Sequence, residues 1–181
     1  MSGRLIGVVG PSGVGKDTVM RAMARACPRL GLVRRVISRP GDAGGEAFDG
    51  VSAAEFRRRQ AGGDFVLSWQ AHGLHYAIPA SLINELNEGR DLLVNLSRSI
   101  LADAQDRFPG FVALVLTAPP ELLAARLTAR NRESAEGIAD RLKQAEKPLP
   151  KGLKTVFTLA NDGPLEDTVQ RALALLYAEK V

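Results

Sequence analysis

Gly10-Pro11-Ser12-Gly13-Val14-Gly15-Lys16 has glycine at both ends of a G-x-x-x-x-G-K spacing, and the chemistry of that spacing is the cradling of a polyphosphate. Glycines let successive backbone N–H groups turn inward around phosphate oxygens. A following helix adds its partial positive charge, and the lysine reaches the phosphate that moves. The pattern implies bound ATP and Mg²⁺, and hence phosphoryl transfer. The plainer alternative, a glycine-rich turn ahead of a helix, has no use for Lys16. Position eight of the pattern is Asp17, where Ser or Thr ordinarily offers magnesium a hydroxyl, and Thr18 comes one residue late. Asp17 either binds Mg²⁺ through water or is an acidic first-turn residue of structural value only.

Phosphoryl transfer also needs cations around the moving group and a segment that shuts out water. Arg126, Arg130, Arg132 and Arg141 supply such charges near the end of one expected helix and into the next. Arg126 and Arg130 share a helix face and can point at one phosphate cluster. Taken alone, these arginines read as a solvated basic face paired with Glu133 and Asp140; beside a phosphate loop they read as a catalytic lid over about 126–145. Asn161-Asp162-Gly163 follows the last expected strand, where ligands gather in sheets of this kind. Asn161 either touches the adenine or simply turns the chain and caps the last helix.

The elements that must position these groups are readable from apolar periodicity. Arg4 to Val9 is a short Leu/Ile/Val run that stops at Gly10, a buried strand feeding the loop. From Lys16 to Ala26 the apolar positions recur at helical spacing until Pro28. Leu32 to Ser38 is rich in β-branched residues, and Arg39 to Gly50 is a glycine-bearing loop or linker. Ser52 with Glu55 reads as the cap of a short helix ending near Gly62. Phe65 to Gln70 and His75 to Ile78 flank His72 and Gly73 as two strands and a turn. Pro79 starts a helix that Gly89 stops. Strands over 91–96, 111–117 and 155–159 then alternate with helices over 99–108, 119–130, 134–146 and 164–178. Such alternation predicts an α/β fold with a parallel sheet covered by helices on both faces.

The chain has 181 residues, 45% of them hydrophobic and 24% charged, which fits one globular domain. No apolar run approaches the roughly 18 residues of a spanning helix, so no membrane partner is expected. Cys27 is the only cysteine, reads as a buried or half-buried structural thiol, and makes a reducing cytoplasm the expected setting. A net charge of +4 suits a phosphorylated small molecule, and with 5% aromatic residues and no RNA-binding signature no nucleic-acid partner is expected. Oligomeric state stays open, a homodimer included.

Nearly the whole chain resembles the guanylate kinase family of nucleoside monophosphate kinases. The resemblance implies a P-loop NTPase core, a lid, and an acceptor-binding subdomain over about 35–80. It implies acceptor-phosphate binding by Arg39 in Ile37-Ser38-Arg39-Pro40 and by Tyr76, and Gly45-Glu46 matches the family's Gly-Glu in the acceptor site. The chain departs from that family where guanine is read: Val66-Leu67-Ser68 stand in place of a glutamate, and Asn95 and Ser97 in place of acids, with Arg98 adding positive charge. It more closely resembles the ribose 1,5-bisphosphate phosphokinase family. The shared segments are Gly10 to Asp17, Ile37 to Pro40 with Gly44-Gly45-Glu46, Trp69 to Pro79 with Ala71-His72-Gly73-Leu74, and Val94 to Arg98.

That resemblance implies transfer from ATP to ribose 1,5-bisphosphate, giving phosphoribosyl diphosphate, in phosphonate breakdown. Such an acceptor has no base but about four negative charges near neutral pH, so cations and neutral polar groups suit it better than carboxylates. Arg39, Glu46, His72, Tyr76, Asn95, Ser97 and Arg98 are the expected acceptor contacts. His72 either meets a phosphate or hydroxyl or is a satisfied polar turn residue. Two rivals remain at this point: a nucleoside monophosphate kinase with altered base choice, and a catalytically silent binding module, against which the intact Lys16 argues.

Overall fold

In a computed structural model of the chain, residues 3–40, 47–129 and 148–178 are described. Leu5–Val9 (β1) is apolar and buried throughout, as a strand with both faces covered must be. After the glycine loop come Lys16–Ala26 (α1) and Leu30–Leu32 (β2). Val36–Ile37 (β3) and Asp49–Gly50 (β4) precede Ala53–Ala61 (α2), and Phe65–Ala71 (β5) and Leu74–Pro79 (β6) follow it. The chain continues through Leu82–Asn87 (α3), Asp91–Asn95 (β7), a 3-10 turn over Arg98–Ile100 and Leu101–Arg107 (α4). Val112–Thr117 (β8), Pro120–Ala129 (α5), Val156–Ala160 (β9) and Leu165–Tyr177 (α6) complete the described elements.

One sheet runs in the order β2-β7-β1-β8-β9, with every pairing parallel. Its strands alternate between two apolar clusters, as the two-residue side-chain period requires. Ile6, Val8, Leu93, Val112, Leu114 and Leu116 pack against Val19, Met20 and Met23 of α1 and Val169, Ala172 and Leu176 of α6. Leu5, Val9, Leu92, Val94, Ala113 and Val115 face Leu82, Leu86, Leu101 and Ala104 on the other side. Half-buried Cys27 packs against the first of these clusters, in line with a structural thiol.

A second sheet, ordered β4-β3-β6-β5, is antiparallel except for the β3–β4 pair. His72 (φ 52°) and Gly73 (φ 73°) join β5 to β6, the doubly left-handed two-residue turn that matches hairpin twist. Leu67, Trp69 and Ile78 of this hairpin belong to the same apolar cluster as Val94 and Leu101, so one core runs through both sheets.

Two expectations are corrected. The β-branched run over 32–38 is divided, with Leu30–Leu32 in the parallel sheet and Val36–Ile37 in the second; a period-two pattern does not say which neighbour each half will find. Pro79 ends β6 rather than starting a helix, paired opposite Phe65 where a missing N–H is tolerated, and α3 begins at Leu82. Gly89, just past the C-cap Glu88 and with φ 87°, is the expected stop. Gly89 N bonds Leu86 O and Arg90 N bonds Glu85 O, which satisfies the last carbonyls of the helix.

At the N-terminal end of the parallel sheet, Asp91 accepts from Arg4 N (2.7 Å), Arg4 Nη2 (2.7 Å) and the Tyr177 hydroxyl (2.9 Å). Burial alone pushes the Asp91 carboxyl up, but these donors outweigh it and hold it below its ordinary value. Burial, then the Asp91 bond, raises the Tyr177 phenol. This network ties β1, β7 and the end of α6 together, at the edge opposite the glycine loop.

Candidate active site

β1, β7, β8 and β9 all end at one edge of the sheet, where the glycine loop meets the start of α1, the position open parallel sheets use for ligands. The loop is held tightly. At Gly10 a Cβ would lie 2.5 Å from the Leu116 carbonyl oxygen. Gly15 has φ 92°, and a Cβ there would lie 2.8 Å from Asn161 Nδ2. Pro11, Gly13 and Val14 are buried, Ser12 and Gly15 half-buried, and Val14 N donates to Pro11 O.

Lys16 Nζ donates to Gly10 O at 2.9 Å and to Pro11 O at 3.1 Å. The ammonium therefore lies back across the loop, against its carbonyl oxygens. Asp17 is half-buried on the first turn of α1, with Asn95 Nδ2 at 3.4 Å from its Oδ1; Thr18 is exposed. Arg126 on α5 donates through Nη1 to Val14 O at 3.4 Å, so this arginine does reach the loop. Asn161, at the end of β9, is only 6% exposed. Its Nδ2 donates to Val14 O at 2.7 Å and its Oδ1 accepts from Thr168 Oγ1 at 3.0 Å. The Asn161 amide thus bonds the loop at one end and Thr168 at the other, and among the described residues no side chain caps the N-terminus of α6.

The second sheet meets the end of β7 beside this loop. Ser38 Oγ accepts from His75 N at 2.8 Å, which pins the strand that carries Arg39 against the hairpin. Arg39 lies over the Phe48 ring at 4.2 Å. Tyr76 stacks on Trp69 (5.5 Å, 13°), and the buried Arg35 guanidinium sits over both rings, at 5.0 and 5.8 Å. Trp69 Nε1 donates to Ser97 Oγ at 3.0 Å, joining the hairpin to the parallel sheet. A cleft of about 260 Å³ opens between α1 and the β2–β3 connection, lined by Asp17, Arg21, Leu32, Val33 and Arg34 among others.

No family model matches the chain. The ribose 1,5-bisphosphate phosphokinase PhnN of Ruegeria sp. (strain TM1040) is 48% identical over 179 residues, covering 98% of this chain and 94% of that protein. The phosphokinase of the same name from Acidiphilium cryptum (strain JF-5) is 52% identical over 151 residues, covering 82% and 80%. The chain belongs to the ribose 1,5-bisphosphate phosphokinase family. Among solved structures, guanylate kinase from Anaplasma phagocytophilum has a TM-score of 0.69 over 99% of this chain and 86% of that one. At 17% identity the likeness is one of fold, and the fold is guanylate-kinase-like.

In this family member the structure brings Lys16, Asp17, Asn95, Arg126 and Asn161 to one loop, and Ser97 and Tyr76 to the seam between the sheets. Burial lowers the Arg98 guanidinium below its ordinary value without discharging it. His72 sits at the exposed hairpin tip, where its φ meets the demand of the turn. Glu46, Arg130, Arg132 and Arg141 lie outside the described residues. Sequence reasoning passed over Arg35, Ser38, Trp69 and Thr168 as site residues. Only Trp69 carried a signal, as the sole tryptophan in a chain of low aromatic content.

Proposed function

We propose that this chain transfers the γ-phosphoryl group of ATP to the 1-phosphate of ribose 1,5-bisphosphate, giving ADP and 5-phosphoribosyl 1-diphosphate. The observation that carries the donor half is Lys16 lying across the glycine loop at the C-terminal end of β1. The acceptor half rests on the family and on the chemistry of the seam. Positions 66–68 hold no acid: Leu67 is buried in the core, and Ser68 Oγ accepts from Gln60 on α2. Arginines 35, 39 and 98 supply charge where a base-reading carboxylate would repel a sugar bisphosphate.

An oxygen of the acceptor phosphate, already ionised at neutral pH, attacks the γ-phosphorus as the bond to the β-γ bridging oxygen breaks, and that oxygen leaves with ADP. No general base is needed. The protein's work is alignment and neutralisation of charge on the equatorial oxygens. Lys16 and Arg126 supply cations from the loop side, with Arg130, Arg132 and Arg141 as further candidates from the sequence. No group of three or more His, Cys, Asp or Glu gathers among the described residues, which rules out a closed metal cage there. Magnesium in kinases takes one or two carboxylates together with substrate phosphates, and Asp17, steadied by Asn95, fits that open arrangement. Bound there, the ion would neutralise charge on the bridging phosphates. The second sheet is the acceptor-binding subdomain in this reading, and the expected setting is the cytoplasm.

The test is ADP release from ATP and Mg²⁺ with ribose 1,5-bisphosphate or GMP as acceptor, under the same conditions. Turnover on the sugar alone is expected. Turnover on GMP alone would make the chain a guanylate-type kinase.

A further inference from the structure

Thr168 is fully buried on the first turn of α6, away from any surface a substrate reaches. Its hydroxyl donates to Asn161 Oδ1 at 3.0 Å and lies 3.4 Å from the Pro164 carbonyl. The far end of the same amide meets Val14 O at 2.7 Å. An asparagine amide turned over exchanges its oxygen and nitrogen, and the exchanged form would set two oxygens 2.7 Å apart at Val14. The Val14 carbonyl, which can only accept, selects the orientation that gives it a donor, and the Thr168 hydroxyl satisfies the oxygen at the other end and anchors the amide to α6.

We propose that Thr168 is a positioning residue for the phosphate loop. By fixing the Asn161 amide with Nδ2 toward Val14, it holds the Val14 carbonyl on the underside of the loop. A trans peptide is planar, so its C=O and N–H point in opposite directions. A Val14 carbonyl held underneath therefore aims the Gly15 N–H into the cradle, where a phosphate oxygen is received. Arg126 on α5 bonds the same carbonyl at 3.4 Å, so this one peptide plane is gripped from two elements. The sequence distance from Val14 to Asn161 is 147 residues, which makes the last strand and helix part of the loop's machinery as well as its scaffold.

The inference rests on the nucleotide reading of the loop, and the experiment separates the two. ADP affinity is measured by titration, with KM for ATP and for the acceptor, on wild type, Thr168→Val and Thr168→Ser. Loss of one buried hydrogen bond predicts ADP binding and KM for ATP both weakened about tenfold in Thr168→Val. The acceptor KM is expected to stay within about twofold, and Thr168→Ser, which keeps the hydroxyl, is expected to restore ADP binding. Wild type that does not bind ADP would refute the nucleotide reading itself. Wild type that binds, with Thr168→Val binding equally well, would overturn the positioning role while leaving that reading intact, and a lower melting temperature with unchanged KM for ATP would do the same. Should Thr168→Val not fold, Thr168→Ala carries the comparison; failure of both to fold would make the hydroxyl a pillar of the core and overturn the proposal.

Discussion

Gly15→Ala tests how tightly the loop is built. The backbone there is left-handed, with φ 92° and ψ 23°, and an L residue in that region costs about 1–2 kcal/mol. The new Cβ would also lie 2.8 Å from Asn161 Nδ2. That amide cannot yield cheaply, because it is bonded at 2.7 Å to Val14 and at 3.0 Å to Thr168. Pushing it aside leaves buried polar groups unsatisfied, a further loss of about 1–3 kcal/mol. The expected total is about 2–5 kcal/mol, a large share of a typical domain stability of about 5–15 kcal/mol. The same substitution placed on an Asn161→Ala background meets no amide and should cost only the backbone part, about 1–2 kcal/mol. Urea unfolding of the four proteins in this cycle gives the coupling directly, expected at about 1–3 kcal/mol. A Gly15→Ala cost that is the same with and without Asn161 would remove the amide from the argument, and no cost at all would refute the backbone part too.

Lys16→Met should keep the melting temperature within a few degrees and lower turnover by at least about 10²–10³, the loss usual for one preorganised charge-stabilising donor; turnover equal to wild type would sink the assignment of the donor site. Asp91→Asn should destabilise by about 2–3 kcal/mol at pH 7, below the full cost of breaking a buried pair because Arg4 is partly exposed. The sign with pH follows from Asp91 titrating below its ordinary value of 3.8. Its contribution is present above that value and is lost as pH falls through the lower folded one, so the gap between wild type and variant should close in acid. Urea midpoints near pH 7 and pH 3 measure this, and a gap that widens in acid would contradict the assignment.

The loop and its helix were legible because that motif fixes local geometry residue by residue, and α1 spans Lys16–Ala26 as periodicity predicts. The Ser52 cap is likewise local, with its Oγ accepting from Glu55 N at 3.1 Å, and so is the His72-Gly73 turn. What escaped was set by topology. Trp69 finds Ser97 across 28 residues, Asn161 finds Val14 across 147, and nothing local to Arg35 announces two aromatic rings beneath it. The stretch over 32–38 reads only as rich in β-branched residues, and the assembled fold decides that Leu32 ends a strand of one sheet while Val36–Ile37 join the other. Asn161 was singled out for its place after a strand, and the side on which it acts became visible only with its partners.

The chain has a single tryptophan, and it lies at the seam, stacked on Tyr76, beneath Arg35 and bonded to Ser97. An indole so placed is a built-in optical probe. Its emission is sensitive to the neighbouring cation and to its own N–H bond, so any rearrangement of the hairpin against the parallel sheet on acceptor binding would be written in the protein's intrinsic fluorescence. Such a rearrangement can therefore be followed in the unlabelled protein.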